Sequence, residues 1–406
     1  MILGNAYPDF VFSRTLDLGV LLKQKSVFLF GPRGTGKSHL IEHAVRPEYP
    51  DAKLYDLLSG KDYRRLVQRP ELLNEENPGT GLVIVDEIQK LPALLDEVHR
   101  LIEKRGLRFL LTGSSARKLR RGAANMLAGR AWSASLLPLT SAEIPDFDLL
   151  TYLNRGGMPA VYTSPNPAED LHSYVDVYLR DEIQSEALTR RIGHFARFLD
   201  CIALTNGQEL AYESLASDTG IQAKTIRNYV EILKDTLLGF EVEAFRRTRT
   251  RKAISRSKFF LFDIGVTNTL CERSSIRPKS ELFGVAFEHF IALELRAYMA
   301  YRRIQKPLRY WRSTSQFEVD FIIGQELAIE VKSSDLVSER DLKGLKALRE
   351  EGLIAAYAVV SLDPERRTLD GIEIWPWGTF LQALWRDEFV FTDVSVFQPA
   401  KNLQGL

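Results

Sequence analysis

Cysteine is scarce: Cys201 and Cys271 are the only two in 406 residues. They lie far apart and outside any metal-ligand spacing, which excludes a disulfide framework and a cysteine zinc site. Reduced thiols and a cytoplasmic protein are the expectation. A charge excess is also missing, since 54 Lys and Arg face 53 Asp and Glu for a net +1. No global field recruits a polyanion, so any nucleic-acid site must come from local clustering. The opening stretch MILGNAYPDFVFSR has no basic segment followed by an apolar core, so it does not read as a signal peptide. The longest near-apolar run, Leu353 to Leu362, is too short to span a bilayer and suits a buried strand, so no membrane association is expected. Internal repeats and low-complexity tracts are absent. What remains is an ordinary globular composition, 45% hydrophobic and 26% charged, at a length that suggests two or three domains.

The most informative stretch is SVFLFGPRGTGKSHLIEHAV. An apolar run, Val27 to Phe30, predicts a buried strand. It turns through Gly31, Pro32, Arg33, Gly34, Thr35 and Gly36 into Lys37 and Ser38, and a helical apolar pattern follows. This is G-x-x-x-x-G-K-S in the strand–loop–helix setting that phosphate binding requires. The glycines let backbone N–H groups converge on phosphate oxygens, and the helix N-terminus adds a favourable dipole. Lys37 would reach the β- and γ-phosphates of ATP, and the Ser38 hydroxyl would ligate Mg²⁺.

GLVIVDEIQK supplies a second run, Leu82 to Val85, ending in Asp86 and Glu87. A run buried on both faces suits a central parallel strand, whose C-terminal end is where open α/β sheets bind ligands. Asp86 would hold the Mg²⁺ and Glu87 would activate the attacking water. In LRFLLTGSSARKL, a strand ends in Thr112, Gly113, Ser114 and Ser115. Thr112 and Ser114 are candidates to sense the γ-phosphate; simple helix capping is the plainer reading of the serine. Five strands are expected, at Val27–Phe30, Lys53–Leu57, Leu82–Asp86, Arg108–Leu111 and Ala134–Leu137, with helices between them, which argues a parallel sheet. Arg117, Arg120, Arg121 and Arg130 precede the last strand. In a ring or dimer one of them, Arg130 first, would enter a neighbour's site as a finger; a solvated basic loop is the plainer alternative.

Gly31–Ser38, LVIVDE, LTGSSARKL, LAGRA, LPLTSAEI and GGMPAVY together resemble a family of bacterial and archaeal AAA+-type ATPases in which the ATPase module precedes a C-terminal domain of unknown function. The resemblance runs along nearly the whole chain. It implies ATP binding and hydrolysis, and names no substrate.

YESLASDTGIQAKTIRNYVEIL predicts two helices around a tight turn, the first running from Tyr212 to Thr219 and capped by Gly220. Ile226, Val230, Leu233 and Leu237 give the second helix an apolar stripe, leaving Lys224, Thr225, Arg227, Asn228 and Glu231 on other faces. That is a helix-turn-helix layout. A β-hairpin is expected next, with seven basic residues and no acid from Arg246 to Lys258: Arg246, Arg247, Arg249, Arg251, Lys252, Arg256 and Lys258. A winged helix with a basic wing would contact phosphates. Protein interaction is the competing use of such a module.

The last third reads helix (Gly284–Met299), strand, FEVDFII, LAIEVKSS, helix, strand. This α-β-β-β-α-β order resembles the PD-(D/E)XK nuclease core. Glu288 then falls on the leading helix, Asp320 on one strand, and Glu330 and Lys332 on the next. Residues two apart on a strand share a face, so Glu330 and Lys332 would sit together. The carboxylates would hold Mg²⁺ and Lys332 would act on the water; a half-exposed strand with alternating polar residues is the plainer reading.

The expected fold is therefore α/β: a P-loop NTPase domain with an AAA+-like parallel sheet (1–150), a helical lid and winged-helix region (151–278), and a PD-(D/E)XK-like α/β domain (279–406). The expected function is ATP binding and hydrolysis coupled to nucleic acid, DNA ahead of RNA, in a homo-oligomer. An ATP-gated Mg²⁺-dependent nuclease and a protein-binding assembly switch are the alternatives.

Overall fold

The computed structural model describes residues 12–79, 81–115, 127, 129–179 and 192–391. Arg117, Arg120 and Arg121 lie outside them. The chain forms two compact units. The first comprises the residues up to Phe147 with Arg155–Tyr174 and Asp235–Leu237; the second comprises Asp148–Asn154, Val175–Lys234 and the chain from Leu238 on. Among the described residues no helix is long and apolar enough to cross a membrane.

The first unit holds a sheet of five strands: β1 (Ser26–Phe30), β2 (Lys53–Asp56), β3 (Leu82–Asp86), β4 (Arg108–Gly113) and β5 (Ala131–Ser135), ordered β2-β3-β4-β1-β5. Every pairing is parallel. All five positions of β1 and of β3 are buried, as strands covered on both faces require. The helix Leu94–Arg105 follows the same economy of pattern. It buries Leu94, Leu95, Val98 and Leu101 at helical spacing, places Asp96 and Glu97 in its first turn and Lys104 and Arg105 in its last, and stops at Gly106 with φ 64°. One strand differs from expectation: β5 begins at Ala131 instead of Ala134. The left-handed Gly129 (φ 77°) completes the preceding turn early, and Ala131 already pairs with Ser26.

The second unit is built on an eight-stranded mixed sheet, β12-β13-β11-β10-β9-β8-β6-β7. Its strands are β6 (Gly239–Ala244), β7 (Lys258–Leu261), β8 (Leu308–Arg312), β9 (Glu318–Ile323), β10 (Leu327–Lys332), β11 (Ala356–Ser361), β12 (Arg367–Leu369) and β13 (Ile372–Pro376). The helix Glu281–Tyr301 is capped by the Ser280 side chain, which accepts from the Phe283 N–H, and is apolar on most of its circumference, as a core helix is. The expected α-β-β-β-α-β order is present. Its second helix, Lys343–Arg349, is preceded by a 3₁₀ turn that a capping box of Ser338 and Asp341 starts.

The two helices of the helix-turn-helix layout span Tyr212–Thr219 and Ala223–Asp235, with Gly220 at φ 68° between them. The hairpin β6–β7 follows as expected and is antiparallel. It does not stand apart as a free wing: Glu243 and Ala244 of β6 pair in parallel with Arg309 and Tyr310 of β8. The hairpin is thereby continuous with the sheet that holds Asp320 and Glu330.

Candidate functional site

In the first unit the loop between β1 and the helix beginning at Lys37 is shaped by three glycines. Gly34 and Gly36 have φ of 84° and 89°, a region that costs an L-residue about 1–2 kcal/mol. A Cβ at Gly31 would stand 2.4 Å from the Leu136 carbonyl oxygen, so the loop passes too close to the end of β5 for any side chain there. The Lys37 ammonium, buried, donates to the Gly31 carbonyl at 2.7 Å and to that of Pro32 at 3.1 Å. It lies inside the curve of the loop, where a phosphate oxygen would meet it.

Ser38 and Asp86 converge although they come from different elements. The Ser38 hydroxyl donates to Asp86 Oδ2 at 3.1 Å, a separation that suits two neighbouring oxygen ligands of one small cation. The Thr112 hydroxyl, fully buried at the end of β4, donates to the other oxygen of Asp86 and accepts from the Glu87 N–H at 3.2 Å. Thr112 thus ties the ends of two adjacent strands together. Glu87 itself adopts φ 60°, ψ 43°, the left-handed conformation that a non-glycine residue takes up only when its surroundings compel it. Its carboxylate bonds to Gln89, whereas that of Asp86 meets Ser38 and Thr112.

Gln89 is a member of this group that the sequence did not single out. Its Nε2 donates to the Glu87 carboxylate and, at 3.2 Å, to the Ser114 hydroxyl. It fits because position 113 is glycine: a Cβ there would stand 2.3 Å from Gln89 Oε1. The second pair missed by sequence reasoning is Arg14 and Glu143. The Arg14 guanidinium donates to the carbonyls of Thr35 in the loop (2.8 Å) and Leu137 (2.6 Å), while its Nε lies 3.1 Å from Glu143. Glu143 lies within the LPLTSAEI stretch, but nothing in the sequence links it to Arg14, and only the fold brings them together.

Arg130 is not brought to this group. It precedes β5, whose Ala131 pairs with Ser26 at the start of β1, so it stands at the opposite end of the strands from Gly31–Ser38. Its Nε donates to Glu103.

In the second unit Glu288, Asp320, Glu330 and Lys332 do come together, around a residue that the sequence analysis had assigned to the basic wing. Lys258, with only 6% of its side chain exposed, places its ammonium 3.0 Å from Glu288, 2.7 Å from Glu318 and 3.8 Å from Asp320. Glu318 lies two residues before Asp320 on β9, which puts the two on one face; that spacing was the available signal for it. Asp320 Oδ2 accepts from the Val331 N–H at 2.8 Å, and Lys332 donates to Glu330 at 2.5 Å. Burial pushes the Glu288 carboxyl up, and with Asp320 nearby it reaches about 7 against the pull of Lys258. Burial likewise raises Glu330 well above the usual carboxylate range, helped by Asp320. Desolvation lowers Lys258, but Glu288, Asp320 and Glu318 outweigh it and hold the ammonium firmly charged. Among the described residues no group of three or more His, Cys, Asp or Glu side chains has the geometry to hold a metal ion.

His289, next to Glu288, is structural. Its Nε2 lies 2.7 Å from the Leu261 carbonyl and its Nδ1 is 3.2 Å from Asn206. Burial pushes its pKa down to about 4. The depressed value means that His289 adds stability above its unfolded pKa of about 6.5, and that this is lost as pH falls toward 4. Urea unfolding should therefore show the advantage of wild type over His289→Gln shrinking by about 3 kcal/mol between pH 7 and pH 4; an advantage independent of pH would contradict a buried neutral imidazole.

Of the expected nucleic-acid contacts, Lys224, Arg227, Asn228, Arg246, Arg247, Arg249 and Lys252 are exposed. Arg227 lies over the Tyr212 ring at 4.5 Å. With Ser214, Ser255 and Arg256 it lines a cavity of about 370 Å³ between the helices and the hairpin loop. Arg251 departs from expectation: it is turned inward, paired with Glu350 and Glu351 and donating to the Ala347 carbonyl at 3.0 Å. Glu351, whose side chain is fully buried, accepts from the N–H groups of Arg249, Thr250 and Arg251 and from the Thr250 hydroxyl. Those hydrogen bonds overcome the cost of burial and bring its pKa down to about 2. The basic loop is thus fixed at its middle.

Three family models match the chain in succession: "AAA domain" over residues 23–145, "Domain of unknown function (DUF8612)" over 146–277 and "Domain of unknown function (DUF4143)" over 283–380. Two uncharacterized proteins of Methanocaldococcus jannaschii are similar along most of their length. MJ1544 is 24% identical over 90% of this chain and 91% of its own; MJ1637 is 23% identical over 88% and 85%. Among solved structures, the Aeropyrum pernix ORC1 protein in complex with DNA overlaps 61% of this chain and 86% of its own, at 12% identity and a TM-score of 0.23. Drosophila ORC bound to AT-rich DNA and Cdc6 overlaps 63% and 89%, at 10% identity and a TM-score of 0.22. The chain joins an AAA domain, built on a parallel sheet with its phosphate-loop motif after β1, to a C-terminal domain of unknown function built on a mixed sheet.

Proposed function

We propose that the protein binds and hydrolyses ATP at Gly31–Ser38, Asp86 and Glu87, and that nucleic acid, DNA ahead of RNA, engages the helix-turn-helix and the loop after β6. The observation that carries the first part is the convergence of Ser38 on Asp86 at 3.1 Å beside a buried Lys37 inside a glycine-shaped loop. A Mg²⁺ ion held by Ser38 and Asp86 would neutralise charge on the phosphates. The chain's own groups do the rest. The N–H groups of the loop and Lys37 bind and orient the phosphates. Glu87, aimed by its left-handed backbone and held by Gln89, accepts a proton from the attacking water. Thr112 and Ser114, bonded to Asp86 and Gln89, connect the ends of β3 and β4 to the γ-phosphate position. Arg130, at the far end of the strands, would serve a nucleotide only on a neighbouring copy of the chain, which is the form a homo-oligomer would require.

The second part rests on local charge in a chain of net charge +1: Arg246, Arg247, Arg249 and Lys252 are exposed in one loop, Lys224 and Arg227 are exposed on the second helix, and Arg227 shares a cavity with Ser255 and Arg256 of that loop. Turnover measured with and without duplex DNA, single-stranded DNA and RNA tests both parts. Wild type should hydrolyse ATP and Lys37→Ala should not. DNA should stimulate turnover, and stimulation should weaken steeply as salt rises. ATP bound without turnover would end the hydrolytic reading; turnover indifferent to every nucleic acid would end the nucleic-acid reading alone.

A further inference from the structure

We propose that the Lys258 ammonium occupies the place of a divalent cation in the Glu288–Glu318–Asp320 cluster, so that the nuclease-like core of the second unit is closed to metal-dependent cleavage. The inference is independent of the ATP and nucleic-acid readings. It contradicts what the order of elements in the C-terminal third led one to expect.

Geometry carries it. A hard cation in such a core would take carboxylate oxygens from the leading helix, β9 and β10, and those of the helix and β9 are already directed at one ammonium: Glu288 at 3.0 Å, Glu318 at 2.7 Å and Asp320 at 3.8 Å. The second oxygen of Asp320 is taken by the Val331 N–H. One oxygen of Glu330 is taken by Lys332, while the other is buried without a hydrogen-bond partner. Glu318 is in turn 3.7 Å from Arg312, which reaches Glu209 at 3.0 Å.

The lysine is also anchored so that it cannot readily withdraw. Its backbone pairs with Val242 on one side and bridges to Glu209 on the other. Its ammonium lies 5.4 Å from the centre of the Tyr310 ring, and the Tyr310 hydroxyl donates to the Arg256 carbonyl at 2.7 Å, fixing the residues just before it. The acceptors are equally constrained. The helix Lys343–Arg349 lies so close to β9 that a Cβ at Gly344 would stand 1.8 Å from the Glu318 carbonyl oxygen.

Charge supports the same reading. The elements around the cluster contribute Glu288, Glu318, Asp320 and Glu330 against Lys258, Lys332 and Arg312. The carboxylates thus already meet cationic partners supplied by the chain itself. A dication at the cluster would meet the Lys258 ammonium at close range and be repelled by it. The network has a structural consequence instead: it clamps the end of the Arg246–Lys258 loop whose middle Glu351 holds.

Manganese uptake without nucleotide, followed by electron paramagnetic resonance, tests this on the full-length protein. Wild type and Asp320→Asn should take up the same amount of Mn²⁺, because none binds at the cluster. Lys258→Met, which removes the charge and keeps the length of the stem, should take up about one additional ion per chain, and Lys258→Met/Asp320→Asn should lose it again. Wild-type DNA and RNA cleavage in Mg²⁺ or Mn²⁺ should be absent. Mn²⁺ uptake by wild type that Asp320→Asn abolishes, or cleavage by wild type that Asp320→Asn abolishes, overturns the proposal; both are read on wild type and hold even where Lys258→Met does not fold. A folded Lys258→Met that gains no ion overturns it as well.

Discussion

Replacing Glu87 by glutamine is expected to leave ATP affinity within a small factor of wild type and to lower turnover about 10²- to 10⁴-fold, the range for loss of a general base. The asymmetry follows from the geometry. Glu87 stands outside the Ser38–Asp86 pair, with its carboxylate bonded to Gln89. Its N–H, which bonds to Thr112, belongs to the backbone and survives the substitution. Glutamine keeps the size and the capacity to hydrogen-bond with Gln89, so the left-handed turn at this position stands. What disappears is the ability to take a proton. Nucleotide binding by calorimetry and phosphate release in the same preparations separate the two effects. A variant that loses binding and turnover together would mean that Glu87 holds the nucleotide, and an unaffected rate would move the base elsewhere. Asp86→Asn should behave differently, weakening Mg²⁺-dependent binding as well as turnover, because Asp86 meets Ser38 and Thr112 directly.

How much of this was legible beforehand depended on whether a group's members are contiguous. Gly31–Ser38 announces itself because one loop supplies the whole cradle, and β3 because its apolar run ends abruptly in two acids. The α-β-β-β-α-β order of the second unit was legible for the same reason, since each element has its own periodicity. Burial direction was not. Lys258 reads as the last of seven basic residues in a solvated wing, yet it opens a four-residue strand that is buried throughout. A lysine heading the apolar run Phe259–Phe262 was the available hint: in such a strand it must find acids or remain outside it. Arg251 misleads in the same way, since only the packing of the Lys343–Arg349 helix against the loop reveals Glu350 and Glu351 as its partners. Gln89 sits two residues past a residue already singled out, but its role requires Gly113 on another strand. Local pattern specifies elements; which charges become interior is decided by contacts distant along the chain.

The largest stability effect is expected from such a distant contact. Glu143 is fully buried, Arg14 is 5% exposed, and they pair at 3.1 Å. Glu143 also accepts from the Thr15 N–H at 2.7 Å, 128 residues away along the chain, and from the Thr140 N–H at 3.0 Å. Glu143→Ala removes both hydrogen bonds and breaks the buried ion pair from one side, which should destabilise the first unit by about 3–5 kcal/mol. Arg14→Leu/Glu143→Leu should recover much of that loss, because the desolvation of both charges disappears along with their attraction. Urea unfolding of the three proteins measures the difference. ATP affinity distinguishes the role of the arginine from that of the pair. Arg14 alone reaches the Thr35 carbonyl within the phosphate loop, so the double variant, though refolded, should bind ATP more weakly than wild type. A double variant as unstable as Glu143→Ala would mean that the backbone contacts of Thr15 and Thr140 dominate. One with wild-type ATP affinity would mean that Gly34 and Gly36 shape the loop without help from Arg14.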